Sequence, residues 1–366
     1  MNVLVVEDSE DMYDSYKDAA EDKSKDGFKI ELHREVNADV AIEKLLSREF
    51  DGAIIDLNLD SQNPQAASGN VVLKAIVEQL RFPVCVVSGN LSNLDPDLSN
   101  KASAFLKFYN RDVSNDIIFN SLVDIYSTGI TQILGGRGQI EKSLTKTFWN
   151  HFANNFDVWL GQDEFQERLL LRYTLSHLLE YLDEPNEDHK YYHEAEFYIM
   201  PPIKEVIATG DILDKDDEQY IVLSPSCDIV NRSPAGQEPK INSERIVLAL
   251  LHEVGVETFL REKIIKESSN KKERENILSD IIKGKRDRFL FLPGYSQIKP
   301  SVIDLQKIYT FSFEEVRSYH RLATVSGVFL KDIQSKFSAY YGRQGQPDLN
   351  KVDLLNRYKD LLADQK

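Results

Sequence analysis

Three carboxylates stand where short apolar runs end. Glu7 and Asp8 follow Asn2–Val6 (NVLVV), and Asp56 follows Gly52–Ile55 (GAII). Ser88 ends a third run, Pro83–Val87 (PVCVV). Runs rich in Val, Ile and Leu and bounded by polar residues read as strands buried on both faces. If they are parallel strands of one sheet, their carboxyl ends share an edge and these side chains converge in one crevice. Carboxylates a few ångströms apart cannot all ionise without a compensating cation. An all-oxygen donor set suits a hard divalent ion, most simply Mg²⁺.

The elements that must position them follow from periodicity. A polar helical stretch with Met12, Tyr16, Ala19 and Ala20 on one side follows the first run. Then come an alternating strand over Phe28–Leu32, an amphipathic helix over Ala38–Phe50, a helix over Val71–Leu80 and a fifth strand over Ala104–Phe108. Strands alternating with helices over about 110 residues predict a doubly wound, five-stranded parallel α/β sheet.

At this point the sequence resembles a family. VLVVEDSE with Glu7 and Asp8, AIIDLNL with Asp56, VVSG with Ser88 and AFLKF with Lys107, in this order and spacing, are similar to the receiver domain of two-component response regulators. The resemblance covers residues 1 to about 125. It implies a flavodoxin-like fold and phosphoryl transfer from a sensor histidine kinase to Asp56. It further implies Mg²⁺ held by Glu7, Asp8, Asp56 and the backbone carbonyl of Asn58. Ser88 and Lys107 would engage the phosphoryl oxygens, and Lys107 is the cation the motif supplies. Two departures stand out: the family's lysine is usually followed by Pro, whereas Phe108 follows here, and the loop after Asp56, Leu57–Gly69, is long and lacks an early Pro.

From Val113 the pattern turns helical to about Glu184, broken once at Gly135–Gly138. The texture then becomes mixed: strands at Gly210–Leu213 and Gln219–Ser224 around an acidic turn, a largely helical stretch over 244–283, strands at Arg288–Leu292 and Ser301–Leu305, and a last helix over Ala323–Tyr340. The expected organisation is a receiver at 1–128, a helical connector at 129–184, an α+β output domain at 185–345 and a polar helical tail at 346–366. The strand order of the output domain resembles the small SH3-like β-barrel of plasmid-addiction toxin endoribonucleases. Its turn, Leu213–Gln219, is acidic and lacks the basic residues such enzymes use on RNA.

Two further groupings carry chemistry. Ser226, Cys227 and Asp228 follow a strand, which invites a nucleophile reading, against a buried thiol with Asp228 capping a turn. His189 and His193 at i,i+4 would share a helical face, a metal-compatible spacing. A lone Cys85 in a buried strand reads as packing. The output is therefore read as a module of unassigned activity. The alternatives are a phospho-regulated hydrolase or nuclease effector, for instance in host defence, and a non-catalytic partner-binding module.

Composition bounds these readings. The 366 residues carry 44 Lys+Arg against 60 Asp+Glu, for a net charge of −16, with two Cys. About 20 acidic and 11 basic side chains fall in the first 110 residues, more than half of the excess. Such a surface repels polyanions at long range, which argues against nucleic acid or an anionic membrane as the receiver's partner. Two Cys cannot form a disulfide framework, and MNVLVVEDSE has neither a basic n-region nor a long apolar stretch. The expected setting is the cytoplasm, with a sensor histidine kinase as partner and a homodimer formed through the receiver or the helical connector.

Overall fold

The computed structural model describes residues 1–25, 27–47, 49–59, 68–159, 166–182, 191–229, 241–253, 270–344 and 348–359. The chain forms two compact units, Met1–Pro185 and Asn186–Lys366.

The first unit opens as a five-stranded sheet of β1 (Asn2–Val6), β2 (Glu31–Glu35), β3 (Gly52–Ile55), β4 (Val84–Ser88) and β5 (Leu106–Asn110), in the order β2-β1-β3-β4-β5. Every pairing is parallel. Successive side chains of a strand point to opposite faces, and here both faces are apolar. Leu4, Val6, Ile55 and Val86 pack under α2 (Ala38–Leu46), α3 (Gly69–Gln79) and the short α4 (Pro96–Ser99). Val3, Val5, Ile54, Cys85 and Val87 pack under α1 (Glu10–Lys25) and α5 (Asn115–Ser127) through Tyr16, Ile118, Phe119 and Leu122. Helices on both faces give the flavodoxin-like layering expected from the sequence.

Beyond α5 the unit continues as α6 (Ile130–Leu134), α7 (Gln139–Thr147), a π-helical turn at Phe148–Phe152, α8 (Phe156–Trp159) and α9 (Gln166–Leu182). Among the described residues no single helix is long and apolar enough to cross a membrane; the one bent pair that passes on length and composition, Asn115–Ser127 with Ile130–Asn155, is bent by 61°. Its first half, α5, spends Ile118, Phe119 and Leu122 on the sheet core.

The second unit is an antiparallel sheet curled into a half-barrel, in the order β10-β11-β9-β8-β7-β12-β6. Its strands are β6 (Tyr198–Ile199), β7 (Asp211–Lys215), β8 (Glu218–Val222), β9 (Arg245–Glu253), β10 (Phe289–Leu292), β11 (Ser301–Ser312) and β12 (His320–Val325). The helices are α10 (Ser226–Ile229), α11 (Lys271–Ile282), α12 (Phe313–Val316), α13 (Gly327–Gly342) and α14 (Lys351–Tyr358). Two expectations fail here. Residues 245–253 are a strand, not a helix: Ile246 and Leu248 face one apolar cluster and Ala249 and Leu251 the other, between β8 and β11. Burial on both faces erases the alternation that identifies a strand in sequence. Residues 320–325 are likewise a strand paired with β7 and β6, so the last long helix begins only at Gly327.

Candidate functional site

The acids converge because the sheet sets their register. Val6 pairs with Ile55 across β1 and β3, so Glu7 and Asp56 stand side by side one step past the paired ends. The Asp56 N–H donates to the Val6 carbonyl at 2.9 Å, and the Glu7 N–H to the Glu35 carbonyl at 3.0 Å, which carries the ladder into the loops. Arg34 on β2 braces the turn, donating Nε to the Glu7 carbonyl at 3.1 Å and Nη2 to the Asp8 carbonyl at 2.7 Å. Carboxylate oxygens of Glu7, Asp8 and Asp56 all lie within 4.8 Å of one another. Glu7 and Asp56 are buried, and Asp8 is half-buried.

Behind Asp56 the chain passes close to itself. A Cβ on Gly69 would collide with the Asp56 carbonyl and lie 2.7 Å from the Leu57 Cα, so α3 reaches this loop only with glycine at its first position. Asn58, two residues after Asp56, accepts from Asn93 Nδ2 at 3.4 Å through its side-chain oxygen. Ser88 ends β4, is fully buried, and its Oγ accepts from the Asn90 N–H at 3.4 Å.

The strand-end cation is one the sequence reading missed. β5 begins two residues later than the apolar run suggests and runs on to Asn110. Lys107 is therefore registered opposite Cys85, three residues before the Ser88–Asn110 pair that closes the ladder. Arg111, the first residue past the strand, reaches the acids: its Nη2 donates to Asp56 Oδ2 and lies 3.8 Å from Glu7 Oε1. The apolar run read in sequence stops at Phe108; Tyr109 and Asn110 belong to the strand because they pair with Val87 and Ser88 of β4.

The charges do not balance. Among the described residues, the cluster of three carboxylates pairs with the guanidinium of Arg111 alone, and the other Asp56 oxygen, Oδ1, is buried without a hydrogen-bond partner. An ionised carboxylate in that state is costly. The strain surfaces at Glu7, whose carboxyl is pushed up to about 7, chiefly by burial and also by Asp56; the Ser9 N–H and Arg111 pull the other way. Burial, with Glu7 and Asp56 nearby, also raises the phenol of Tyr16, whose hydroxyl is enclosed without a partner. A hard divalent cation with oxygen ligands would fill this deficit, and the donor set fits one.

The other singled-out residues fall outside this cluster. Burial pushes the Cys85 thiol up to about 12, which suits packing and not nucleophilic chemistry. Cys227 is exposed at the start of α10, and its Sγ lies 3.5 Å from Asp228 Oδ1. The Asp228 carbonyl accepts from the Asn242 and Ser243 N–H groups, which makes it part of the loop's framework. His189 lies outside the described residues. His193 caps a 3₁₀ turn, its Nδ1 accepting from the Ala195 N–H at 3.1 Å while Glu196 accepts from the His193 N–H at 2.7 Å. It precedes a helical turn and does not belong to a helix face.

No protein family and no curated protein matches the chain. Among solved structures, the first 125 or so residues match receiver domains in fold. A CheY-like response regulator receiver domain from Methylobacillus flagellatus is 20% identical, covering 33% of this chain and 98% of that one, with a TM-score of 0.27. A response regulator receiver domain protein from Methanospirillum hungatei JF-1 is 21% identical over 35% of this chain and 94% of that one, with a TM-score of 0.26. A response regulator receiver protein from Pseudoalteromonas atlantica is 14% identical over 35% and 99%, with a TM-score of 0.27.

Proposed function

We propose that Asp56 accepts a phosphoryl group from a sensor histidine kinase in a Mg²⁺-dependent reaction, and that this modification controls the α+β output domain, 185–345, through the helical connector. The observation that carries the reading is the unbalanced acid cluster: three converging carboxylates, one guanidinium, and an unpartnered Asp56 Oδ1 at the carboxyl edge of a parallel sheet. Glu7, Asp8, Asp56 and the Asn58 carbonyl are the groups that would hold Mg²⁺. When bound, the ion supplies positive charge against the oxygens of the transferring group.

This chain's residues do the rest. The Asp56 carboxylate attacks phosphorus; its O–P bond forms as the P–N bond to the kinase imidazole breaks, and the imidazole keeps that electron pair. Arg111 already pairs with the carboxylate and is 40% exposed, free to follow the charge as it moves outward onto the phosphoryl oxygens. The Ser88 hydroxyl at the end of β4 is available as a donor to one of them. In this reading Arg111 supplies the counter-charge that the motif assigns to Lys107. The cytoplasm belongs to the same reading, since the kinase partner resides there and both cysteines are free thiols.

The test is acetyl phosphate with Mg²⁺ on the full chain. One acid-stable, base-labile phosphoryl per chain is expected, absent without Mg²⁺ and absent in Asp56→Asn. Labelling that survives Asp56→Asn would sink the assignment.

A further inference from the structure

Among the described residues, the helical hairpin that follows the sheet has an exposed apolar face. One side of α9 packs on α7 and the π-helical turn, with Tyr173 against Phe152 at a ring separation of 5.1 Å and Tyr181 hydrogen-bonded to His151 at 3.0 Å. Its other apolar side is a row at i, i+4 and i+8, where Leu171, Leu175 and Leu179 are 59%, 50% and 61% exposed. Beside the row, a groove of about 370 Å³ runs between the helices, lined by Leu144, Phe148, Trp149, Phe152 and Thr174. Phe148 and Trp149 are themselves more than half exposed. A helix that is apolar on two sides needs two partners, and α7 is only one.

We propose that this face is the interface between two copies of the chain, α9 against α9 in antiparallel fashion, the two hairpins together forming a four-helix bundle. Three observations select a second copy. The ridge of leucines and the groove lie on the same hairpin, so a two-fold axis makes the surface complementary to itself. The leucines, Phe148 and Trp149 expose on the order of 600 Å² per copy, close to the ~800 Å² that a stable interface takes from each partner. The flanking charges fix the direction. Arg168, a heptad before Leu175, shares the row, and parallel helices would set it against Arg168 of the second copy. Antiparallel pairing about Leu175 sets Leu171 beside Leu179 and carries the two Arg168 side chains to opposite ends of the interface.

The experiment measures the mass of the full chain in solution across concentration. Wild type is expected at twice 42.0 kDa in the micromolar range. Leu175→Asp with Leu179→Asp is expected at the single-chain mass, with unchanged far-UV circular dichroism. Cross-linking tests the direction in a Cys227→Ser background: Leu175→Cys should form an intermolecular disulfide, Leu171→Cys alone should not, and a mixture of Leu171→Cys and Leu179→Cys chains should. A wild-type monomer at every concentration, a dimer that survives the paired Asp substitutions, or self-linking of Leu171→Cys would overturn the proposal.

Discussion

At the residue scale Glu7, Asp56 and Arg111 set the electrostatics of the site. A buried carboxyl at about 7 against an ordinary 4.5 means that the folded chain keeps a proton the unfolded chain releases. Metal-free stability therefore falls as pH rises from about 4.5 through 7 and levels off above, and Glu7→Gln removes that slope in urea titrations. The same proton competes with the cation. Mg²⁺ binding is expected to be about tenfold tighter at pH 8 than at pH 6, and flat with pH in Glu7→Gln, as read by calorimetry. Arg111→Gln strips the one guanidinium from a buried carboxylate. It should cost about 1–3 kcal/mol without Mg²⁺, with much of the loss restored by saturating Mg²⁺. Equal destabilisation in both conditions would mean that Arg111 and the cation do not share a site. The acids were legible in sequence because each ends an apolar run. Arg111 was not, because what extends β5 past Phe108 is pairing with β4, a long-range partner that local composition does not reveal.

At the element scale, close approaches decide which positions tolerate change. Gly69→Ala puts a methyl into the Asp56–Leu57 backbone. The start of α3 must then shift, with a loss of more than ~2 kcal/mol and weaker Mg²⁺ binding in the same titration. The β7–β8 hairpin turns on Asp216 and Asp217, both left-handed, with φ of 53° and 67°. That is the geometry in which Asn-Gly is preferred. Replacing the pair with Asn-Gly should raise stability by about 0.5–1 kcal/mol, seen as a higher midpoint in thermal unfolding. The acidic turn itself was readable, as were β1, β3 and β4, because turn chemistry and apolar runs are local signals. β9 was not, since an apolar stretch buried on both sides looks the same at helical and strand spacing, and β12 was not, since its short mixed run is made a strand by pairing with β7 and β6.

At the scale of the whole molecule, much of the charge of −16 resides in the part of the chain that carries the site. Three of those acids are buried or half-buried members of one cluster and not simple surface charge. The first unit encloses its own two apolar clusters on either side of the sheet. A fragment spanning 1–185 should therefore bind Mg²⁺ within about twofold of the full chain, and a larger gap would mean that the second unit contributes to the site. Phosphorylation at Asp56 is tested by trapping the acyl phosphate where it forms. Borohydride reduction of acetyl phosphate-treated protein converts an aspartyl phosphate to homoserine, which peptide mass spectrometry locates. Homoserine is expected at position 56 and at no other acid; a reduced side chain at Glu7, Asp8 or elsewhere, with Asp56 intact, would overturn Asp56 as the acceptor.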